Sequence, residues 1–220
     1  MRQPMRNSFF FLLIIAWGAI ACNSQEVVEK PLPILGEKTI TPEGDTLLYQ
    51  IPPFAFVDQD SNMISEKDVA GKFYVADFFF TTCPSICPKM SAEMVRLHDE
   101  FLKEDQLLLL SYSLDPEYDT VAVLKDYATK LGVNTEKWHL LTGDAQKIYD
   151  LAYAYMVNAV KDETAPGGVL HSGAFVLVDQ NRHVRGFYDG TIPEEVNRLM
   201  VDIRRLIKEE GTIKEESTQG

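Results

Sequence analysis

Cysteine is scarce in this chain. Its 220 residues hold three, Cys22, Cys83 and Cys87, too few to staple a small secreted scaffold. The core must therefore come from packing. Positive charge is also short: 21 Lys and Arg face 33 Asp and Glu, for a net charge of −12. That balance favours solubility and argues against a nucleic-acid partner, which needs a basic patch. Long apolar runs are missing too. The stretch from Phe9 to Ala21 has 13 residues, against about 20 for a helix that spans a bilayer. There is no internal repeat and no low-complexity tract.

What stands at the N-terminus is an export signal: Arg2 and Arg6, a short apolar middle, then small residues. Its end, Ala19-Ile20-Ala21-Cys22, resembles a lipobox, with Ala19 where leucine is usual. On this reading residues 1–21 are a lipoprotein signal peptide and Cys22 is lipidated. An ordinary signal cleaved nearby, or a retained short anchor, are the alternatives. Residues 22–50, with Pro31, Pro33, Pro42, Gly36 and Gly44, are expected to be a lipid-anchored tether. Residues 51–210 form the domain and 211–220 a flexible polar tail. The expected location is the cell envelope, lipid-anchored to a membrane and facing the periplasm or extracytoplasmic side.

Strand and helix patterns alternate through the domain. Phe54–Val57 and Met63–Ile64 read as a hairpin around Asp58–Ser61. Lys72–Phe80 and Leu107–Ser113 are apolar runs of the kind buried on both faces of a parallel sheet. Trp138–Leu141 reads as a short strand, and Ala174–Val178 with His183–Phe187 as a hairpin. Helical stripes run through Met90, Met94, Leu97 and Phe101, through Val121–Leu131, through Ile148–Tyr155, and through Val196–Leu206 after Pro193. The order predicts an α/β fold, a central sheet with flanking helices and an N-terminal β-hairpin extension.

Chemistry concentrates at Thr81-Thr82-Cys83-Pro84-Ser85-Ile86-Cys87-Pro88. The two cysteines lie where a buried strand ends and a helix begins. A cysteine there has its thiolate stabilised by the helix dipole and open N–H groups. Two such sulfurs close as a disulfide or on a soft metal ion. Three intervening residues, with Pro84 and Pro88 stiffening the loop, give more room than the C-x-x-C of redox sites. Two thiolates suit Cu(I), and an added imidazole makes Cu(II) acceptable as well. Four histidines compete for that place. His98 is expected to be solvated, His139 packing or surface, and His183 exposed in a hairpin. His171 lies in the Gly-rich run Pro166–Gly173, just before a strand. Met90 and Met94 have helical spacing and are read as core rather than as soft ligands.

The strand, the cysteine motif and the closing ββα resemble a thioredoxin-like fold. Asp77 stands six residues before Cys83, as in the Val-Asp-Phe-x-x-x-x-Cys run of thioredoxins, and is either structural or tunes the thiol. In such folds the loop holding His171 packs against the motif. Redoxins usually place a cis-proline there, and this chain has none between Pro166 and Pro193. More specifically, the chain resembles the Sco/SenC family over roughly residues 50 to 208. The residues that carry this are Phe80–Pro88, Ser113-Leu-Asp115-Pro116-Glu-Tyr-Asp119-Thr120, His171-Ser172 and Arg185-Gly-Phe-Tyr-Asp189-Gly. The resemblance implies one copper, as Cu(I) or Cu(II), bound by Cys83, Cys87 and His171. It also implies a copper chaperone that helps assemble the CuA centre on subunit II of cytochrome c oxidase, with a thiol reductant as a second partner. Asp115 and Asp119 are candidates for supporting the ligands or docking the partner, or an ordinary turn and helix start. The rival readings are a thiol-disulfide oxidoreductase that reduces the cysteines of the oxidase copper site, and a copper or redox sensor. A peroxidase reading lacks the proline and arginine arrangement of peroxiredoxins.

Overall fold

The computed structural model describes residues 30–218 apart from Glu163, with side chains up to Glu209. Cys22 and the leader lie outside the described residues. In chain order the elements are β1 (Thr39–Ile40), β2 (Thr46–Leu47), β3 (Ala55–Asp58), β4 (Met63–Ser65), β5 (Phe73–Phe79), α1 (Cys87–Glu100), β6 (Leu107–Ser113), α2 (Val121–Leu131), β7 (Trp138–Thr142), α3 (Ala145–Ala154), β8 (Ala159–Lys161), β9 (Val169–His171), β10 (Ala174–Val178), β11 (Val184–Asp189) and α4 (Pro193–Thr218).

The two apolar runs become the centre of the sheet. Every residue of β5 and β6 is buried, and they pair in parallel from Phe73–Leu107 to Phe79–Ser113. Strand β7 extends the parallel set. Antiparallel β3 and β4 close one side, and β10 and β11 the other, in the order β11-β10-β5-β6-β7-β3-β4. The mixed sheet with flanking helices and the β3–β4 hairpin is the expected thioredoxin-like architecture. Met90 and Met94 are buried in the core of α1. Phe78 stacks on Tyr112 with ring centroids 5.2 Å apart. Burying such rings stabilises by roughly 1.5–3 kcal/mol each.

Helix starts differ in a way that bears on function. Thr120 caps α2 by accepting from the Val123 N–H, and Asp144 caps α3 by accepting from the Lys147 N–H. Helix α1 has no side-chain cap, and Pro88 occupies its first turn. Its open end faces the cysteine loop.

Four expectations need correction. His98 is buried, not solvated: its Nε2 accepts from the Asn134 N–H at 2.9 Å and its Nδ1 lies 2.8 Å from Asp99. Trp138 lies beside it, with ring centroids 6.4 Å apart, so the last turn of α1 is covered by the α2–β7 connection. His183 is half-buried against Asp179, its Nδ1 3.3 Å from a carboxylate oxygen. The segment read as tether carries structure from Pro31 onward. Leu32 is buried, Leu35 bridges to Val184, and β1 pairs with β2. Arg185, itself buried, donates to the carbonyls of Leu32 and Pro33 and pairs with Asp179 and Glu209, while the Leu32 N–H donates to Glu209. At the other end α4 continues through the expected tail to Thr218.

Candidate metal centre

The parallel strands deliver the cysteine loop. After β5 the chain turns at Phe80–Cys83, where the Cys83 N–H donates to the Phe80 carbonyl at 3.2 Å. Cys83 and Cys87 are both buried and free. Pro84 and Ser85 lie exposed between them. The two thiols are unlike. Burial pushes the Cys83 thiol up, but hydrogen bonds from Cys87 and from the backbone of Ser85 and Cys87 outweigh it, so the thiol sits below its ordinary value. The N–H of Cys87, the first residue of the uncapped helix, is thus spent on a sulfur. Burial first, then its bond to Cys83, pushes the Cys87 thiol well above the usual range. Cys83 is the more acidic thiol of the pair, and Cys87 holds its proton the more firmly.

The imidazole arrives from elsewhere. His171 ends β9, which pairs with β8 in a separate two-stranded sheet, Ala159 opposite His171. The run read as a loop is therefore in part a hairpin. His171 Nδ1 lies 3.2 Å from the Ser172 carbonyl oxygen. A carbonyl only accepts, so Nδ1 carries the proton and Nε2 keeps its lone pair. That Nε2 lies 3.4 Å from Cys87 Sγ. Burial lowers the His171 pKa, so at neutral pH the ring is uncharged, as a ligand must be. Gly167 seats the hairpin against the motif: its φ is +82°, and a Cβ there would stand 2.6 Å from the Phe80 ring and 3.4 Å from Pro84.

One ligand atom each from Cys83, Cys87 and His171 lie within 4.8 Å of one another. No other grouping of three His, Cys, Asp or Glu donors occurs among the described residues. Two sulfurs and one imidazole nitrogen form a soft donor set, fit for Cu(I) and acceptable to Cu(II). His98, His139 and His183 stay away, each engaged with an aspartate.

The three aspartates separate. Asp77 is buried in β5 and accepts a short hydrogen bond from Ser111, whose Oγ also accepts from Trp138 Nε1 at 2.8 Å. Burial raises its carboxyl to about 7, against the lowering effect of the Ser111 bond. Asp115 is half-buried, and its carbonyl closes a turn on the N–H groups of Tyr118 and Asp119. Asp119 is wholly buried and holds Thr81 and Ser113. Sequence reasoning named Thr81, Ser113 and Ser172 within its motifs but gave them no role. The two threonines before Cys83 were the available signal, since a hydroxyl at a strand end calls for an acceptor.

A thiol pair at a helix start, faced by a histidine from beyond the third helix of a thioredoxin-like sheet, defines a class of thiol and metal-binding domain. The sequence model of the SCO1/SenC family matches residues 43–208, and the chain belongs to that family. Among solved structures it is similar to a SCO1/SenC family lipoprotein from Bacillus anthracis, 33% identical with a TM-score of 0.67, covering 72% of this chain and 95% of that one. It is also similar to BsSco, described with a disulfide switch and as a member of the Sco family of cytochrome c oxidase assembly proteins. That pair is 31% identical with a TM-score of 0.62, covering 71% and 92%. Bradyrhizobium japonicum ScoI, solved with copper bound, is 27% identical with a TM-score of 0.56, covering 70% and 98%. Among the described residues no helix is long and apolar enough to cross a membrane.

Proposed function

We propose that this protein is a copper chaperone of the cell envelope that holds one copper through Cys83, Cys87 and His171 and hands it to the CuA centre on subunit II of cytochrome c oxidase. The observation that carries the reading is the convergence of two sulfurs and an imidazole nitrogen within 4.8 Å. Copper is the cargo. Cys83, the more acidic thiol, makes first contact. Cys87 gives its proton to solvent as the ion engages its sulfur. His171 is already neutral and oriented by Ser172. A ligand set supplied partly by a small hairpin is open to exchange with ligands of a docked protein. Cys22 carries the lipid that keeps the domain at the membrane, facing the periplasm or extracytoplasmic side, and a thiol reductant keeps the cysteine pair loaded with protons rather than bridged.

One observation favours a second reading. A lowered Cys83 thiol beside a raised Cys87 thiol is also the pattern of an attacking and a resolving cysteine in thiol–disulfide exchange. The two readings divide at His171, which exchange does not need. The deciding experiment compares wild type and His171→Ala for copper bound per reduced domain, for reduction of a mixed disulfide, and for oxidase assembly in cells. The chaperone reading expects lost Cu(II) retention and lost assembly with thiol exchange intact. A His171→Ala protein that matures the oxidase at ordinary copper would overturn it in favour of the reductase.

A further inference from the structure

The carboxylate of Asp119 has an odd address. It stands next to Thr120, the cap of α2, and its backbone N–H closes a turn on the Asp115 carbonyl at 2.8 Å. An aspartate there would be expected to serve the helix start. Its hydrogen bonds run the other way. One oxygen accepts from the Thr81 N–H at 3.1 Å and from Ser113 Oγ at 2.5 Å; the other takes a short bond from Thr81 Oγ. Asp119 is fully buried. A buried carboxylate is costly unless its oxygens are satisfied, and charge-assisted bonds are about twice as strong as neutral ones. Here they are spent on the second residue before Cys83.

The strands explain why the groups meet. Phe79 and Ser113 are register partners at the C-terminal ends of β5 and β6. Thr81 leaves β5 just beyond that pair, and Asp119 returns to it through the Asp115 turn. The loop between Thr81 and Cys83 has only the Cys83–Phe80 turn bond of its own. Both backbone and side chain of Thr81 are held by one carboxylate, which fixes where the chain enters the motif.

We propose that Asp119 is the positioning residue of the thiol pair: through Thr81 it sets where Cys83 stands relative to Cys87 and His171. The role rests on the metal-site reading for its purpose but not for its geometry. Outer partners that orient a ligand typically contribute 10–100-fold to metal affinity.

The test uses the reduced full chain and Cu(II) alone as probe. Thr81→Val removes one donor at constant shape, Thr81→Ser keeps it, and Asp119→Asn weakens the acceptor. Cu(II) affinity and the thiolate-to-copper charge-transfer spectrum are read beside near-UV circular dichroism. The expected result is an affinity loss of roughly 10–100-fold with a shifted charge-transfer band in Thr81→Val and Asp119→Asn, and wild-type behaviour in Thr81→Ser. A second readout needs no copper. The domain is equilibrated with reduced and oxidised glutathione, where closing Cys83–Cys87 passes two electrons and two protons to glutathione disulfide and yields two glutathiones. The midpoint should move in the same two variants. Folded Thr81→Val with wild-type spectrum and midpoint overturns the proposal, whether or not Asp119→Asn folds. Wild type that binds no Cu(II), with a midpoint that still moves in Thr81→Val, removes the copper reading and leaves the positioning role standing.

Discussion

The two sides of the site are built differently. The thiol side grows out of a central strand buried at every residue, is pinned behind by Asp119, and opens helix α1. The imidazole side is a hairpin of two three-residue strands outside the main sheet, with Val160 and Leu170 exposed as a cross-strand pair. One side is fixed by the core. The other is seated by Gly167 and the His171 ring against Phe80 and by the buried Val169 side chain. A site made this way ties its sulfurs to the central sheet and its imidazole to the hairpin.

The largest effect is expected on the thiol side. Cys87→Ser replaces a buried sulfur with a hydroxyl of similar size that does not become an anion at neutral pH. Copper retention after gel filtration should fall by more than about 100-fold, beyond what loss of an outer partner costs. Retained stoichiometric copper in this variant would mean that the two sides do not share one ion.

Next comes Asp77, the titrating group of the thiol-side strand. Its folded value of about 7 lies above the ordinary carboxylate value. Between about pH 4 and pH 7 the folded chain keeps a proton that the unfolded chain has released, so stability falls as pH rises through that window and is level above it. Asp77→Asn keeps an acceptor for Ser111 and removes the charge. Its unfolding free energy from urea titration should match wild type near pH 4 and exceed it at pH 8, by on the order of a few kcal/mol. Parallel pH profiles would mean that Asp77 is ionised in the folded chain.

A smaller effect tests the seat between the sides. Gly167→Ala adds a Cβ at a positive φ and against Phe80. It should cost about 1–3 kcal/mol in thermal or urea unfolding and weaken Cu(II) binding more than disulfide formation. Equal loss in both would mean that the hairpin and the thiol loop move as one body. The smallest effect belongs to Leu170→Ser. The side chain is 57% exposed one residue before His171, and both stability, within about 0.5 kcal/mol, and copper affinity should stay at wild type. A tenfold change in affinity would show that the outer face of the hairpin controls the ligand.

The same contrast explains what could be read in advance. Strands β5 and β6 and helices α1 to α4 were legible because each writes its burial into its own chain, as a continuous apolar run or as a helical period. The cysteine motif was legible because its residues are consecutive, and Met90 and Met94 because their spacing placed them in the core. The β8–β9 hairpin was not. Its strands are three residues long and the segment between them is rich in glycine, so only pairing with Ala159–Lys161 makes it a sheet. His98 was misjudged because it was placed on the exposed side of the Met90–Phe101 helix, while its cover comes from Trp138 and Asn134, at least 36 residues away in sequence. The order in Pro31–Gln50 hides for the same reason: Leu32 and Leu35 sit among prolines and find partners only in Arg185, Glu209 and Val184.

That last arrangement has a consequence for distance. With Leu32 clasped by Arg185 and Glu209, ten residues of sequence separate the proposed anchor at Cys22 from the folded domain. Fully extended, they reach at most about 35 Å, against about 100 Å if all of 22–50 were loose. The copper site would then search a thin layer above the lipid rather than a deep one. Confinement of that kind raises the effective concentration of the domain toward any target fixed in the same membrane. On the proposed anchor, the clasp would set the greatest distance the domain can stand from the lipid.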